Sequence, residues 1–308
     1  MQRFILIRFL QSLLALFILS VVVFFATWAT GNPVDFILPP QETTFEEKEA
    51  LKEKLGLDRP VGLQYITYLG RVFKGDFGFA LMHGRLPVTD VIGKRLPNTL
   101  HLGAMAFLLT IGLAFPLGVF AAYNRGKLVD AFSRTLAFAG QSIPEFWLAL
   151  VLIYTFGVWW ELLPVAGREG GVSHWILPAF TASWNSLAGL LRITRSSVLE
   201  VLGSDYIRTA RAKGLMERTV LWRHTLKNSL IPVITSVALL SVGMLNGIVL
   251  VEIVFAWPGL GQLAVDSVLS RDLFLVQALT LMAGTAFLSA NFFADVMYSL
   301  VDPRVRYD

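Results

Sequence analysis

Cysteine is absent from the 308 residues, which excludes a disulfide framework and a thiolate metal site. Charge is scarce: 16% of the side chains are Asp, Glu, Lys or Arg, against about 25% in an ordinary soluble domain. The four histidines, His83, His101, His174 and His224, are scattered, and no HExxH, GxGD or GxSxG setting accompanies them. An intramembrane enzyme is left without its usual ligands or nucleophile. No Walker A sequence is present, since Gly93-Lys94 and Gly126-Lys127 lack both the following Ser or Thr and the spaced glycine. If ATP drives this chain, another polypeptide hydrolyses it. A secondary transporter should show internal repeats and paired intramembrane charges. No obvious repeat emerges here, and the acids inside apolar runs have no Lys or Arg there to pair with.

What the chain does have is apolar length: 55% of its residues are hydrophobic and the mean hydropathy is +0.62. A bilayer core takes roughly 20 apolar residues of helix. Six segments meet or approach this: Phe9 to Trp28, Thr99 to Tyr123, Thr135 to Trp160, Val172 to Leu191, Ser229 to Val251 and Leu273 to Ala294. The fourth is short and more polar, but still free of Lys, Arg, Asp and Glu. The first is too long for the apolar part of a signal peptide, and "WATGNPVDF" after it is a poor cleavage site, so a retained span is expected.

The basic residues, which give a pI near 9.4, cluster at the ends of these runs. That pattern speaks for membrane orientation and against nucleic acid. With Arg3 and Arg8 in the cytoplasm, the inner segments also hold Arg125, Lys127, Arg134, the Arg192 to Lys227 cluster, Arg304 and Arg306. The two short outer loops then hold only Arg168 and Arg271. The expected fold is an all-α polytopic membrane protein of six spans with both termini inside. Its parts are residues 1–28, an outer loop over 29–98, and a five-helix core over 99–308 with a cytoplasmic segment at 200–231.

Two aqueous segments carry helix signals. In "TFEEKEALKEKLG", Thr44 and Glu47 form a capping box and Gly56 suits a helix end. A second helical pattern follows Pro60, with Leu63, Ile66, Tyr68 and Leu69 on its apolar side, and "KGDFGFAL" reads as a turn into an extended return. A small helical cap on the outer face is expected. On the inner face, "SDYIRTARAKGLMERTVLWRHTLKNSLIP" starts a helix at Ser204 and Asp205 and stops it at Gly214. A second helix from Glu217 carries Met216, Val220, Trp222 and Leu226 and runs to Pro232. Such a basic hairpin suits an anionic lipid surface or a docking site on a partner protein. Thr209, Ala210, Ala212 and Gly214, small residues among the bases, favour docking, because a lipid-facing helix wants large apolar residues there.

This stretch resembles the cytoplasmic signature of permease subunits of ATP-driven (ABC) importers: Glu-Ala-Ala, three residues, Gly, nine residues, Ile, one residue, Leu-Pro. Aligned on Gly214, Ala210 and Leu226 match, while Arg208, Thr209, His224 and Lys227 stand at the Glu, first Ala, Ile and Pro. The peptide/nickel subfamily carries this variant form. "GLDRPVGLQYITYLGRVFKGDFGFAL", "PVTDVIGKRLPNTLHLG", "SIPEFWLALVLIY", "VEIVFAWPGLGQLAVDSVLSRD" and "ADVMYSLVDPRVR" resemble its successive segments in order. The long outer loop is typical of its B-type permease.

The resemblance implies a type I importer architecture. It also implies a partner set: a second homologous permease, two ATPase subunits holding ATP and magnesium, and an extracytoplasmic binding protein. No cofactor is expected on this chain, which would sit in a bacterial inner membrane. Di- and oligopeptides are the expected cargo, with nickel, glutathione, oligosaccharide or an ATP-independent transport mode as alternatives. By resemblance, Tyr206, Arg208, Thr209, Ala210, Arg211, Lys213, Gly214, Glu217 and Arg218 form the coupling element. Intramembrane charge costs about 2.5–3.5 kcal/mol at a span centre, so Glu145 (after Pro144), Glu252 and Asp295 each need an account. For Glu145 and Asp295 a local hydrogen bond suffices. Asn246 and Glu252, with Trp257 and Pro258 in "WPGLG", are pathway or outer-gate candidates. Gly243 with Gly247, and Ala114 with Gly118 and Ala122, are small-residue pairings suited to close helix contact.

Overall fold

The computed structural model describes residues 2–30, 45–55, 57–81 and 84–301, with the side chains of residues 2, 51, 54, 55, 241, 242, 245, 246 and 297–301 outside that description. Thr44 and Gly56, the expected cap and stop of the first outer helix, and Arg304 and Arg306 lie outside the described residues. The elements are α1 (Gln2–Ala29), α2 (Phe45–Leu55), α3 (Val61–Val72), β1 (Phe79–Ala80), β2 (Leu86–Pro87), α4 (Val88–Tyr123), α5 (Leu128–Ser142), α6 (Glu145–Leu152) extended by a π-helical stretch Ile153–Trp159, α7 (Ser173–Leu202) and α8 (Asp205–Ala212). Helix α9 starts at Glu217–Thr219, passes through a π-helical stretch Val220–Leu226 and continues as Lys227–Val254; α10 (Leu260–Leu269) and α11 (Leu273–Val301) follow.

Segments Arg3–Ala29, Val88–Tyr123 and Leu273–Val296 are long and apolar enough to cross a membrane. The third expected span is not one rod: α5 and the α6 stretch together qualify, but they bend by 109° at a break. The cause is Pro144, which holds extended backbone at φ −61° and ψ 139° where α6 begins. Helices α7 and α9 have 30 and 28 residues in helix proper. At 1.5 Å per residue they reach about 45 and 42 Å, beyond the roughly 30 Å of a bilayer core. Pro232 does not end a helix, as the sequence suggested, but sits inside α9.

By contacts the described residues fall into two compact units, 99–258 with 290–301 and 2–98 with 259–289. In the first unit α7 lies at the centre, packed by α5, α6 and α9. Nearly every residue from Leu177 to Leu191 is buried, so α7 has almost no free face there. Its polarity is absorbed locally: Thr181 Oγ1 donates to Leu177 O (2.8 Å) and Ser183 Oγ to Phe180 O (2.8 Å). Close approach is built in. A Cβ on Gly118 would lie 2.7 Å from Thr194 Cβ and 3.0 Å from Leu191 O, and one on Gly140 would lie 2.4 Å from Ala188 Cβ. Ala114 and Ala122, on either side of Gly118, are buried as well. Gly247 admits the Glu145 carboxylate, whose Oε2 would stand 2.6 Å from an added Cβ, whereas Gly243 faces open space and makes no close contact.

In the second unit the outer segment is packed onto the first helix. Phe24 of α1, Tyr68 of α3 and Leu281 of α11 form one cluster, with Tyr65 beside it. A two-residue ladder pairs Phe79 with Pro87 and Ala80 with Leu86, the extended return expected after the turn. Asp272 fixes this return: fully buried, it accepts from Leu81 N at 2.6 Å and Leu275 N at 3.3 Å.

Overpacking such contacts costs roughly 1–3 kcal/mol. Gly118→Val and Gly140→Val should each lower the thermal unfolding midpoint of the purified protein by several degrees. Gly93→Val, with nothing within 4 Å of its added Cβ, should not; equal losses at all three positions would refute the close-packing account.

Candidate functional site

The cytoplasmic segment is built on an apolar footing. Ile207 and Ala210 of α8 and Val220 of α9 are buried together, with Val201 of α7 packed against them. Ala210 therefore faces inward, not outward as the sequence reading supposed; its smallness serves the chain's own packing. Ser204 occupies the N-cap position in extended conformation, but caps no N–H. Its hydroxyl donates instead to Val201 O at 2.6 Å. Asp205 and Arg208 pair loosely at 3.7 Å, both highly exposed.

The turn out of α8 is held at three points. Gly214 adopts φ +77°, a conformation glycine takes without the Cβ penalty. Its N–H donates to Arg211 O at 2.9 Å and Leu215 N reaches back to Ala210 O at 3.3 Å, the two bonds of a Schellman-type end. Across the turn, Arg211 clamps Glu217 with Nε–Oε1 at 2.7 Å and Nη2–Oε2 at 3.2 Å. This hydrogen-bonded carboxylate raises the Arg211 pKa above its ordinary value. The third hold is Asn228 Nδ2, donating to Tyr206 Oη at 3.1 Å. What remains outside is an exposed surface of Arg208, Thr209, Arg211, Lys213, Gly214, Glu217 and Arg218, edged by Met216 and Trp222, which are 78% and 65% exposed. The structure thus brings all the expected coupling residues into one hairpin and turns one of them inward.

Sequence reasoning missed the support beneath. Asp130, 2% exposed, accepts from Arg195 Nε at 2.6 Å and from Gly126 N at 2.9 Å, with Arg134 Nε at 3.8 Å. It ties the start of α5 to α7, the helix that leads into α8. Arg192 donates to Gln141 one turn away, at 3.1 Å. In the sequence Arg192 and Arg195 read only as orienting charges; the available signal was the lone acid of "GKLVDAFSR" among bases.

Near residue 252 two of the four pathway candidates are packed away. Glu252 and Trp257 are fully buried, Thr99 Oγ1 donates to Glu252 Oε1 at 2.6 Å, and Trp175 meets Trp257 edge-on at 5.8 Å. Arg168 lies 5.6 Å from the Trp175 ring centre and 6.0 Å from that of Trp257, a cation–π arrangement. In this conformation Glu252 and Trp257 are fully covered by the chain's own packing. Helix α9 ends here with Ala256 left-handed at φ 46° and Trp257 N on Glu252 O at 2.8 Å. The side chain of Asn246 lies outside the described residues. Glu145 opens α6 after the Pro144 break and fills the notch at Gly247.

Removing one partner of a fully buried ion pair costs roughly 3–5 kcal/mol. Asp130→Ala should cost less, because the Arg195 side chain is 20% exposed and regains some water. Thermal melts should nonetheless place Asp130→Ala well below Arg134→Ala, since the Arg134 side chain is 61% exposed and its contact is long, at 3.8 Å.

Comparison with known proteins gives concordant results. The oligopeptide transport system permease protein AppB of Bacillus subtilis is 39% identical over the whole of both chains. The glutathione transport system permease protein GsiC of Escherichia coli is 38% identical, again over all of both. The dipeptide transport system permease protein DppB of E. coli is 37% identical over 90% of each. Among solved structures, the inward-facing MetNI methionine ABC transporter superposes with a TM-score of 0.56 at 16% identity, covering 69% of this chain and 96% of the other. An amino acid ABC transporter with histidines gives 0.51 at 14%, covering 70% and 95%. At such identities the likeness is one of fold. A profile for the N-terminal part of binding-protein-dependent transport system membrane components matches residues 1–103, and one described as binding-protein-dependent transport system inner membrane component matches residues 114–307. The chain belongs to that family: it is a multi-pass membrane permease of the ABC importer type, a transport subunit of a larger transporter complex.

Proposed function

We propose that this chain is one of two homologous permeases in an ATP-driven importer of di- and oligopeptides, with six spans and both termini in the cytoplasm. In this reading the broken α5–α6 pair, α7 and α9 join α1, α4 and α11 as spans. The outer segment over residues 29–98 faces the compartment where a binding protein delivers cargo. ATP and magnesium are held by two ATPase subunits, and this chain carries no cofactor of its own. The relatives named for oligopeptide, dipeptide and glutathione transport support a peptide-like cargo.

The observation that carries the reading is the hairpin at residues 204–218. It is basic and exposed, yet held rigid by the Arg211–Glu217 clamp and the Gly214 turn on an apolar footing. A lever transmits displacement only if it does not bend, and a lipid anchor has no need of such stiffness. ATPase closure would push α8, and α7 would carry the displacement toward the membrane. Near residue 252, the packed Glu252, Trp257 and Pro258 would form the closed outer gate, with Asn246 on the pathway.

Gly214→Ala forces a side chain into left-handed backbone at about 1–2 kcal/mol and should lower peptide uptake in part. Gly214→Pro cannot adopt φ +77° and loses the N–H to Arg211 O; uptake and cargo-stimulated ATP hydrolysis should fall to background while insertion is retained. Normal uptake by Gly214→Pro would refute the coupling role. The cysteine-free sequence allows a clean test of topology. In intact cells a membrane-impermeant maleimide should label Lys74→Cys and should label Lys127→Cys only after permeabilisation. The reverse pattern would overturn the orientation.

A further inference from the structure

The unit formed by residues 2–98 and 259–289 holds a partly open pocket lined by none of the coupling or gate residues named above. It lies where α3 packs over the end of α1, and its volume is about 80 Å³. Arg59 and Arg71 line it together with Tyr68, against the apolar sides of Phe24, Leu273 and Phe274. Among the described residues neither guanidinium has a carboxylate partner. Gln64 pins the chain at this spot by donating to Leu57 O at 3.1 Å and Arg59 O at 2.8 Å, so the first cation stands on a fixed turn.

Tyr68 is the informative residue. It is 7% exposed, and its hydroxyl is buried without a hydrogen-bond partner, which native structures seldom tolerate. Burial, with Tyr65 adding to it and Arg71 opposing, pushes this phenol up to about 12. It therefore keeps its proton and remains a donor. Two cations and an idle donor around a small space complement an oxyanion, and phosphate suits guanidinium groups well.

The surroundings indicate what carries the phosphate. A depression of about 520 Å³ shares Thr27 and Leu273 with the pocket and is otherwise largely apolar, with Arg271 at its edge. Trp28, half exposed at the end of the 27-residue apolar helix segment, marks the level of the membrane interface. We propose that the pocket binds the phosphate of an anionic phospholipid in the outer leaflet, with Arg59 and Arg71 on the phosphate, Tyr68 donating to it and an acyl chain in the adjoining depression. The leaflet assignment rests on the orientation given under Proposed function.

The test uses the whole transporter in nanodiscs of phosphatidylcholine containing a minor fraction of phosphatidylglycerol, with retained lipid counted by native mass spectrometry. The wild type should retain phosphatidylglycerol in preference to phosphatidylcholine. Arg59→Gln combined with Arg71→Gln should lower that retention about tenfold, and Tyr68→Phe should lower it by less. Because both arginines sit at the rim, the double variant should assemble normally, as gel filtration will show. Absence of headgroup preference in the wild type, or undiminished retention by the double variant, overturns the proposal. Binding of inorganic phosphate with loss of the lipid would mean a free-anion site and overturn the lipid assignment. Lys74→Cys labelling separates the two readings: if that position is closed to the outside, the outer-leaflet assignment fails whatever the pocket binds.

Discussion

Everything in the larger unit depends on how closely backbones can approach α7. In hydrocarbon, helix association gains little from the hydrophobic effect, because lipid tails are as apolar as leucine. Contact must come from dispersion over matched surfaces, and that requires small residues where axes cross. Gly118 and Gly140 let α4 and α5 close on α7, where Thr194, Leu191 and Ala188 leave no room for a Cβ. The same intimacy explains why α7 tolerates Thr, Ser and Trp at buried positions: its neighbours, not lipid, surround it. The helix that looked least like a span in the sequence is the one the others are built around.

Much of this was legible in the residues, and the gaps have physical causes. Apolar run length located α1, α4 and α11, because a span in contact with lipid must be apolar on its own account. It is a weaker guide to α7, whose residues are shielded by protein and so freed of that requirement. The hairpin at 204–218 could be read from its capping and breaking residues, which act locally. The inward turn of Ala210 could not, because the packing of α8 on Val201 and Val220 is tertiary. Asp130 and Arg195 lie 65 residues apart, and no local pattern announces such a pair. Nor does any local pattern announce the full burial of Glu252 and Trp257, which only the fold supplies.

The charged groups divide by what water can reach. Arg208, Lys213 and Arg218 are exposed and available to a partner; such charges individually contribute little to stability. Asp130 and Asp272 are buried, and each accepts hydrogen bonds that fix a chain reversal, at Gly126 and at Leu81. These two buried acids thus maintain geometry inside the fold, while the three bases stand in water.

The π-helical stretch Val220–Leu226 lies just after the hairpin. There Thr225 Oγ1 reaches Val220 O at 3.1 Å, five residues back rather than four. A turn closed over five residues holds one more than an α turn, and each residue of an α-helix advances the face by about 100°. The stretch is therefore a phase shifter. The side of α9 that meets α8 and the side that later packs on α7 are offset by about one residue relative to an unbroken α-helix. Deleting a single residue within 220–226 would close the turn and rotate the hairpin's footing away from Ile207 while leaving every contact above Lys227 in register.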